Sequence, residues 1–268
     1  MKIFSRQCFR SILMIYKTNS KANLTFQSGI GNTANFLTIS IVQNAVRDFS
    51  ETIENIQQNV PIDIFSILGM RNLSAFIGEI FARSLEKVSY RMLKSNPHQD
   101  GYPDLLLMDQ AGIDMYNNIS LQQGLQDKAP FSPFPNGGIE IKATCGSVPT
   151  PKECHKKGLE KPSIGCQRID ILKSYDWKAH HQETNNLLGL LWDFINGKPM
   201  IVAVFFGNNL TDADWGDIVQ PRAGGGRTTS VSIMKRKGVK KMYNNWVMVF
   251  NDRRYIDFLN KYNKGSSI

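Results

Sequence analysis

Cysteine is scarce in this sequence, with four in 268 residues: Cys8, Cys145, Cys154 and Cys166. A chain of this length does not need disulfide staples, so the four read as free thiols in a reducing compartment. Cys145, Cys154, His155 and Cys166 supply four soft donors. Their gaps do not match paired-knuckle spacing, and two of them are adjacent, which argues against structural zinc. No apolar run approaches the length of a membrane span. Arg10 interrupts the apolar stretch from Cys8 to Lys17 and no small-residue cleavage pattern follows cleanly, which argues against a signal peptide. A cytoplasmic protein with no membrane partner is expected. Repeats, heptads and linkers are missing too, which leaves one mixed α/β domain with insertions as the simplest account.

Hydrophobic residues make up 41 % and charged residues 21 %, the balance of a chain with a buried core rather than a disordered one. The formal charge is +9, from 32 Lys and Arg against 23 Asp and Glu, which favours a polyanionic partner. Residues 1–35 read as an N-terminal extension of uncertain order, and 36–268 as the domain.

Phe36, Ile39, Val42, Val46, Phe49 and Ile53 recur at helical spacing, predicting a helix over 37–58 that Pro61 ends. A second helix of about 20 residues is predicted from Asn72 to the Asn96-Pro97 stop, with Leu73, Ile77, Ile80, Phe81, Leu85, Val88 and Met92 on its apolar side. Glu79, Arg83 and Glu86 fall on the opposite side. Asp104 to Met108 reads as a short buried strand, 109–138 as an irregular excursion, and Ile139 to Ala143 as an alternating strand. The segment 186–206 reads as a hairpin turning at Asn196-Gly197, although 186–195 also admits a helix. Trp246 to Phe250 is the last strand candidate, followed by a short helix over 254–262. Trp177, Trp192 and Trp246 read as core anchors, and Trp215 as a surface residue.

Glu140 and Lys142 are two apart on a strand, so both side chains leave one face while Ile139 and Ile141 enter the core. Asp104 begins a neighbouring apolar strand and supplies a second carboxylate. Two carboxylates and the backbone carbonyl of Ile141 are suitable oxygen donors for Mg²⁺, with Lys142 placed to hold a water and offset charge at a phosphoryl centre. The bland alternatives are a polar strand face and a turn-capping aspartate. His98 reads as a solvated turn histidine.

Two basic segments accompany this pattern. From Gln220 to Tyr243 stand Arg222, Arg227, Lys235, Arg236, Lys237, Lys240 and Lys241 with no acidic residue, interleaved with Thr228, Thr229, Ser230 and Ser232. Arg222 and Arg227 suit guanine edges in a major groove, and the lysines suit phosphates. From Lys152 to Arg168 stand Lys152, Lys156, Lys157, Lys161 and Arg168. The competing reading is a soluble basic surface. His180 and His181 are adjacent and diverge, which argues against a metal site there.

Pro103-Asp104 and Glu140-Ile141-Lys142 resemble the two halves of the motif of the PD-(D/E)XK nuclease superfamily. The strings Asn96-Pro97-His98-Gln99-Asp100-Gly101-Tyr102-Pro103-Asp104-Leu105-Leu106 and Gly137-Gly138-Ile139-Glu140-Ile141-Lys142-Ala143-Thr144 resemble a Type II restriction endonuclease, with similarity to the group related to HindVP. The resemblance covers most of residues 70 to 262. It implies a restriction-endonuclease-like α/β core, a central mixed β-sheet flanked by helices with loop insertions. It also implies Mg²⁺-dependent, site-specific cleavage of double-stranded DNA leaving 5′-phosphate and 3′-hydroxyl ends. An acidic residue from the preceding helix is implied beside Asp104, Glu140 and Lys142. Glu79 matches that role best, with Glu86 as competitor. A homodimer suits palindromic duplex sites, and a cognate DNA methyltransferase is the implied companion. A repair or recombination nuclease with the same chemistry, and a non-catalytic DNA-binding protein, are the alternatives.

Overall fold

The computed structural model describes residues 15–30, 34–122, 124–179, 185–220, 231–262 and 268. In chain order the elements are β1 (Tyr16–Thr18), β2 (Thr25–Gln27), β3 (Ala34–Phe36), α1 (Ile39–Asn59), α2 (Ile64–Val88), β4 (Leu93–Ser95), β5 (Leu105–Leu107), α3 (Gln110–Gln122) and β6 (Gly138–Thr144). There follow α4 (Pro151–Lys156), β7 (Lys178–Ala179), β8 (Leu187–Ile195), β9 (Lys198–Gly207), β10 (Ser232–Ile233), α5 (Arg236–Asn244), β11 (Trp246–Phe250) and α6 (Arg253–Tyr262).

A seven-stranded sheet with the order β1-β11-β9-β8-β6-β5-β4 forms the centre. It is mixed: β6 and β8 run parallel and the other neighbouring pairs antiparallel. The antiparallel pair β8–β9 is the hairpin expected from the sequence. Its turn residues Asn196 and Gly197 have φ of 52° and 76°, the left-handed conformations that let a two-residue loop follow the twist of its strands. Tyr16–Thr18, within the N-terminal stretch that the sequence sets apart, supplies the edge strand beside β11.

Helices cover both faces. On one, Val42, Phe49 and Ile53 of α1 and Leu73, Ile77, Phe81 and Leu85 of α2 pack on Ile139, Ile141, Leu188, Leu190 and Trp192 of the sheet. On the other, Met242 and Tyr243 of α5 and Tyr255 and Leu259 of α6 pack with Tyr175 and Trp177 on Leu187, Leu191, Val202 and Phe205. Burial on both faces explains why β8 reads as a continuous apolar run rather than an alternating one. Trp215 is completely buried in the second core, which corrects its expected surface position.

Two further expectations are corrected. The second helix starts earlier, at Ile64, is broken at Gly69 with a bend of 110°, and ends at Val88 rather than Asn96. Tyr90 and Arg91 adopt φ of 54° and 69°, reversing the chain so that Leu93 pairs with Leu107 as part of β4. Met92 and Leu93 continue the helical spacing in the sequence, but a sheet edge has taken them. The second correction is α3, within the segment expected to be irregular. Its Met115, Tyr116 and Ile119 pack against Leu106, Phe131 and Phe134, sealing the outer side of β5. Among the described residues no single helix is long and apolar enough to cross a membrane.

The β5–β6 contact is especially tight at Gly138, which pairs with Leu106. A Cβ there would lie 1.9 Å from the Leu105 carbonyl oxygen, so only a residue without a side chain allows this approach. Gly138→Ala is expected to destabilise the protein by about 3 kcal/mol, as overpacking against rigid backbone does. Urea unfolding of the two proteins checks this; equal midpoints would show that the strands separate without cost.

Candidate active site

The site begins with a difference in strand length. β5 begins only at Leu105, opposite Ile139, whereas β6 continues past that point to Thr144. Extending the antiparallel register by one residue sets Asp104 opposite Glu140. Among the described residues, the edge of β6 beyond that point has no strand beside it on the β5 side, and a side chain meets its backbone there instead. The Glu140 N–H donates to the Asn186 carbonyl on the β8 side. Alternation along a strand then directs the N–H and carbonyl of Ile141 to the open edge. The Ile141 N–H donates there to Asp104 Oδ2 at 2.8 Å. The Asp104 N–H donates to Glu140 Oε2 at 3.1 Å, so each carboxylate is fixed by the other strand's backbone.

Lys142 completes the group. Its Nζ lies 2.5 Å from Glu140 Oε1 and 3.3 Å from Asp104 Oδ2. The Glu140 side chain is only 5 % exposed, against 21 % for Asp104 and 23 % for Lys142, so the charges meet at the floor of a cleft. Burial pushes the Glu140 carboxyl up to about 7; Lys142 opposes that rise and the Asp104 charge adds to it. Burial alone would lower the Lys142 ammonium, but the two carboxylates outweigh it and hold the group above its ordinary range. Lys142 is therefore held as a cation against the buried Glu140 carboxyl.

The cleft has a volume of about 810 Å³ and runs between α2 and the loop joining β4 to β5. Glu79 lines it from α2, with an exposed carboxylate. Partial desolvation raises the Glu79 carboxyl, the Asp104 charge raises it further, and Arg83, then Lys142, oppose both. The competitor Glu86 points elsewhere: it receives the Ser95 hydroxyl and pairs with Arg83 at 3.4 Å. Asp104, Glu140, Lys142 and Glu79 are thus brought together, and Ile141 lies among them.

The loop wall depends on Asn96. Its backbone N–H donates to the Asp104 carbonyl at 2.9 Å, and its side-chain amide donates to the carbonyls of Pro103 and Phe131 at 3.0 and 2.9 Å. Its side-chain oxygen accepts from the His98 N–H. These four bonds set where the chain enters β5 and therefore where Asp104 stands. His98 lines the cleft with its Nε2 buried and its ring against Phe131, so it is less solvated than the sequence implies. Lys128 reaches the same wall and pairs with Asp100 at 2.5 Å. Sequence reasoning missed Asn96 as an anchor and Lys128 as a lining group. Asn96 looked like a helix stop, and Lys128 comes from the excursion, where no periodicity marks it.

The predicted basic contacts divide. Arg222, Arg227, Thr228, Thr229 and Ser230 lie outside the described residues, as do His180 and His181. Lys235, Arg236, Lys237 and Lys240 are exposed around the N-terminal part of α5, and Lys152, Lys156 and Lys157 are exposed in and after α4. None of them lines the cleft. Two assignments are corrected. Lys241 is paired with the fully buried Asp214 at 2.6 Å and also donates to the Asn209 carbonyl. Arg168 is buried, and its backbone N–H donates to the Asp193 carboxylate, which also takes bonds from the Ile169 N–H and the Tyr255 hydroxyl. Lys241 thus ties α5 to Asp214, and Arg168 is enclosed rather than part of an exposed basic face.

Among the described residues no three His, Cys, Asp or Glu side chains converge as a ready metal cage. The donor chemistry at the cleft floor nevertheless fits a hard divalent cation. Two carboxylates on adjacent strands face one point, an ammonium already bridges them there, and the Ile141 carbonyl is directed to the same edge. No family model, curated protein or solved structure matches the chain.

Removing the ammonium alone leaves the buried Glu140 uncompensated. Lys142→Met is expected to cost about 3 kcal/mol of stability in the absence of divalent cations, with part of that loss recovered by Glu140→Gln in the same chain. Urea titrations of the single and double variants in chelator measure this coupling; additive losses would mean that the pair does not interact.

Proposed function

We propose that the protein is a metal-dependent nuclease that hydrolyses double-stranded DNA, of the restriction-endonuclease-like type. The observation that carries this is the meeting of Asp104, Glu140 and Lys142 at the open edge of β6, with Glu79 across the cleft. The sequence strings around Asp104 and Glu140 resemble Type II restriction endonucleases, and the seven-stranded mixed sheet flanked by helices is compatible with that fold class.

Asp104, Glu140 and the Ile141 carbonyl would hold Mg²⁺. When bound, the cation would polarise the phosphoryl oxygen of the scissile bond and acidify an attacking water. Asp104 and Glu140 are fixed by backbone N–H groups before any ligand arrives, so little reorganisation is required of them. Lys142, held charged by its surroundings, would orient the water and offset negative charge developing on the phosphoryl oxygens. The exposed cations of α5 and α4 would contact backbone phosphates, which position the duplex without reading it. Base reading would fall to Arg222 and Arg227. A homodimer acting on a palindromic site, and a methyltransferase protecting the same site, belong to this reading.

The test is digestion of long duplex DNA with Mg²⁺ followed by sizing and end analysis. Discrete fragments with 5′-phosphate ends are expected. Asp104→Ala and Lys142→Ala should reduce cleavage by about 10³-fold or more, the scale on which removal of a charge-stabilising catalytic group acts, while binding of the site persists. Normal cutting by Lys142→Ala defeats the mechanism, and selective cleavage of branched or damaged DNA moves the reading to repair.

A further inference from the structure

We propose that Lys142 is the resident counter-ion of the Asp104–Glu140 pair, that it competes with the divalent cation for those carboxylates, and that metal arrival displaces it across the cleft towards Glu79. The inference rests on the metal-dependent reading above and adds a gating role for Lys142 and a different role for Glu79.

The geometry sets two cations against the same carboxylate oxygens. Lys142 Nζ bridges one oxygen of each carboxylate, at 2.5 and 3.3 Å, and a divalent ion taking those oxygens would meet it there. Two positive charges cannot share that point without strong repulsion, because the surroundings are shielded from water and screening is weak. Lys142 has somewhere to go. Its side chain is 23 % exposed at the cleft floor, and a flexible four-carbon stem can swing a compact ammonium into an open volume. Glu79 offers a negative charge on the facing wall. It makes no ion pair among the described residues, it lines the same cleft, and its carboxyl responds to the charges of both Asp104 and Lys142. Arg83, the other cation on that wall, makes its ion pair with Glu86 at 3.4 Å, although its charge also acts on Glu79.

The roles have opposite consequences for metal affinity. A lysine that only holds water near the ion leaves affinity almost unchanged when removed. A lysine that occupies the ion's place weakens binding, and its removal tightens it. Likewise, a Glu79 that ligates the metal contributes whether or not Lys142 is present. A Glu79 that receives the displaced ammonium contributes only when Lys142 is present.

Calorimetric titration of the full-length chain with Mn²⁺, without nucleic acid, separates these cases. Lys142→Met and Lys142→Gln are expected to bind Mn²⁺ at least about tenfold more tightly than the parent, the order set by removing a unit charge this close to a carboxylate pair. Glu79→Gln should weaken binding in the parent and leave the Lys142→Met chain unchanged. Should Lys142→Met prove too unstable without metal, Lys142→Gln carries the comparison. Equal or weaker affinity in the Lys142 variants overturns the proposal, and so does an equal loss from Glu79→Gln in both backgrounds, which would make Glu79 a ligand. Absence of Mn²⁺ binding in every variant overturns both the proposal and the metal-dependent reading. Binding by the parent without a gain on removing Lys142 overturns the proposal alone.

Discussion

The pairing of a short strand with a longer one governs the site. β5 starts only at the pair of Leu105 with Ile139, and β6 runs on past it to Thr144. A strand edge without a neighbour has backbone donors and acceptors to satisfy, and at this edge Asp104 satisfies the first of them by accepting from the Ile141 N–H. The same register turns Glu140 Oε2 to the Asp104 N–H. Each acid is therefore placed by the other strand, and a slip of one residue would break both bonds and turn Glu140 to the opposite face. Gly138, where Leu105 comes too close for any side chain, fixes that register from below.

The surrounding fold supplies burial and access to the same few atoms. α1 and α2 cover one face of the sheet and α5 and α6 the other, so Glu140 lies in a poorly solvated position despite its charge. Burial without compensation would favour its neutral form, and Lys142 resists that by lying against it. The loop from β4 to β5 leaves the cleft open on one side, and Asn96 ties that loop to Pro103, Asp104 and Phe131. Through Phe131 the clamp reaches the small cluster formed with α3, so the excursion between β5 and β6 also supports the edge that carries the candidate site.

Much of this was legible in the residues. Glu140 and Lys142 emerge on one face because Ile139 and Ile141 must enter the core, and alternation alone demands it. The β8–β9 hairpin followed from its Asn-Gly turn, and α1 and the later part of α2 from their apolar periodicity. What could not be read depends on contacts distant in sequence. β4 is a strand because Leu93 finds Leu107, although its spacing continues that of α2. α3 presents a narrow apolar stripe among asparagines and glutamines, and only the cluster beneath β5 reveals that stripe as buried. Arg168 and Lys241 look like free cations in the sequence. Folding buries Arg168, with its backbone N–H bonded to Asp193, and pairs Lys241 with Asp214, and the acid in each case lies more than 20 residues away.

The same limitation explains the order in which the site's members can be assigned. Strand geometry couples Glu140 to Lys142 directly, whereas Asp104 joins them only through a pairing across 36 residues. Glu79 is one step further removed, since a helix position says which way a side chain leaves but not what it faces. The structure separates it from Glu86 by giving Glu86 two partners and placing Glu79 in the cleft. Its negative charge nevertheless suits either of two tasks, as a ligand or as a resting place for an ammonium. Either task puts a cation near the same carboxylate, and in this structure the cation bridging Asp104 and Glu140 is Lys142, so Glu79 would act as a ligand only for a metal that took that place.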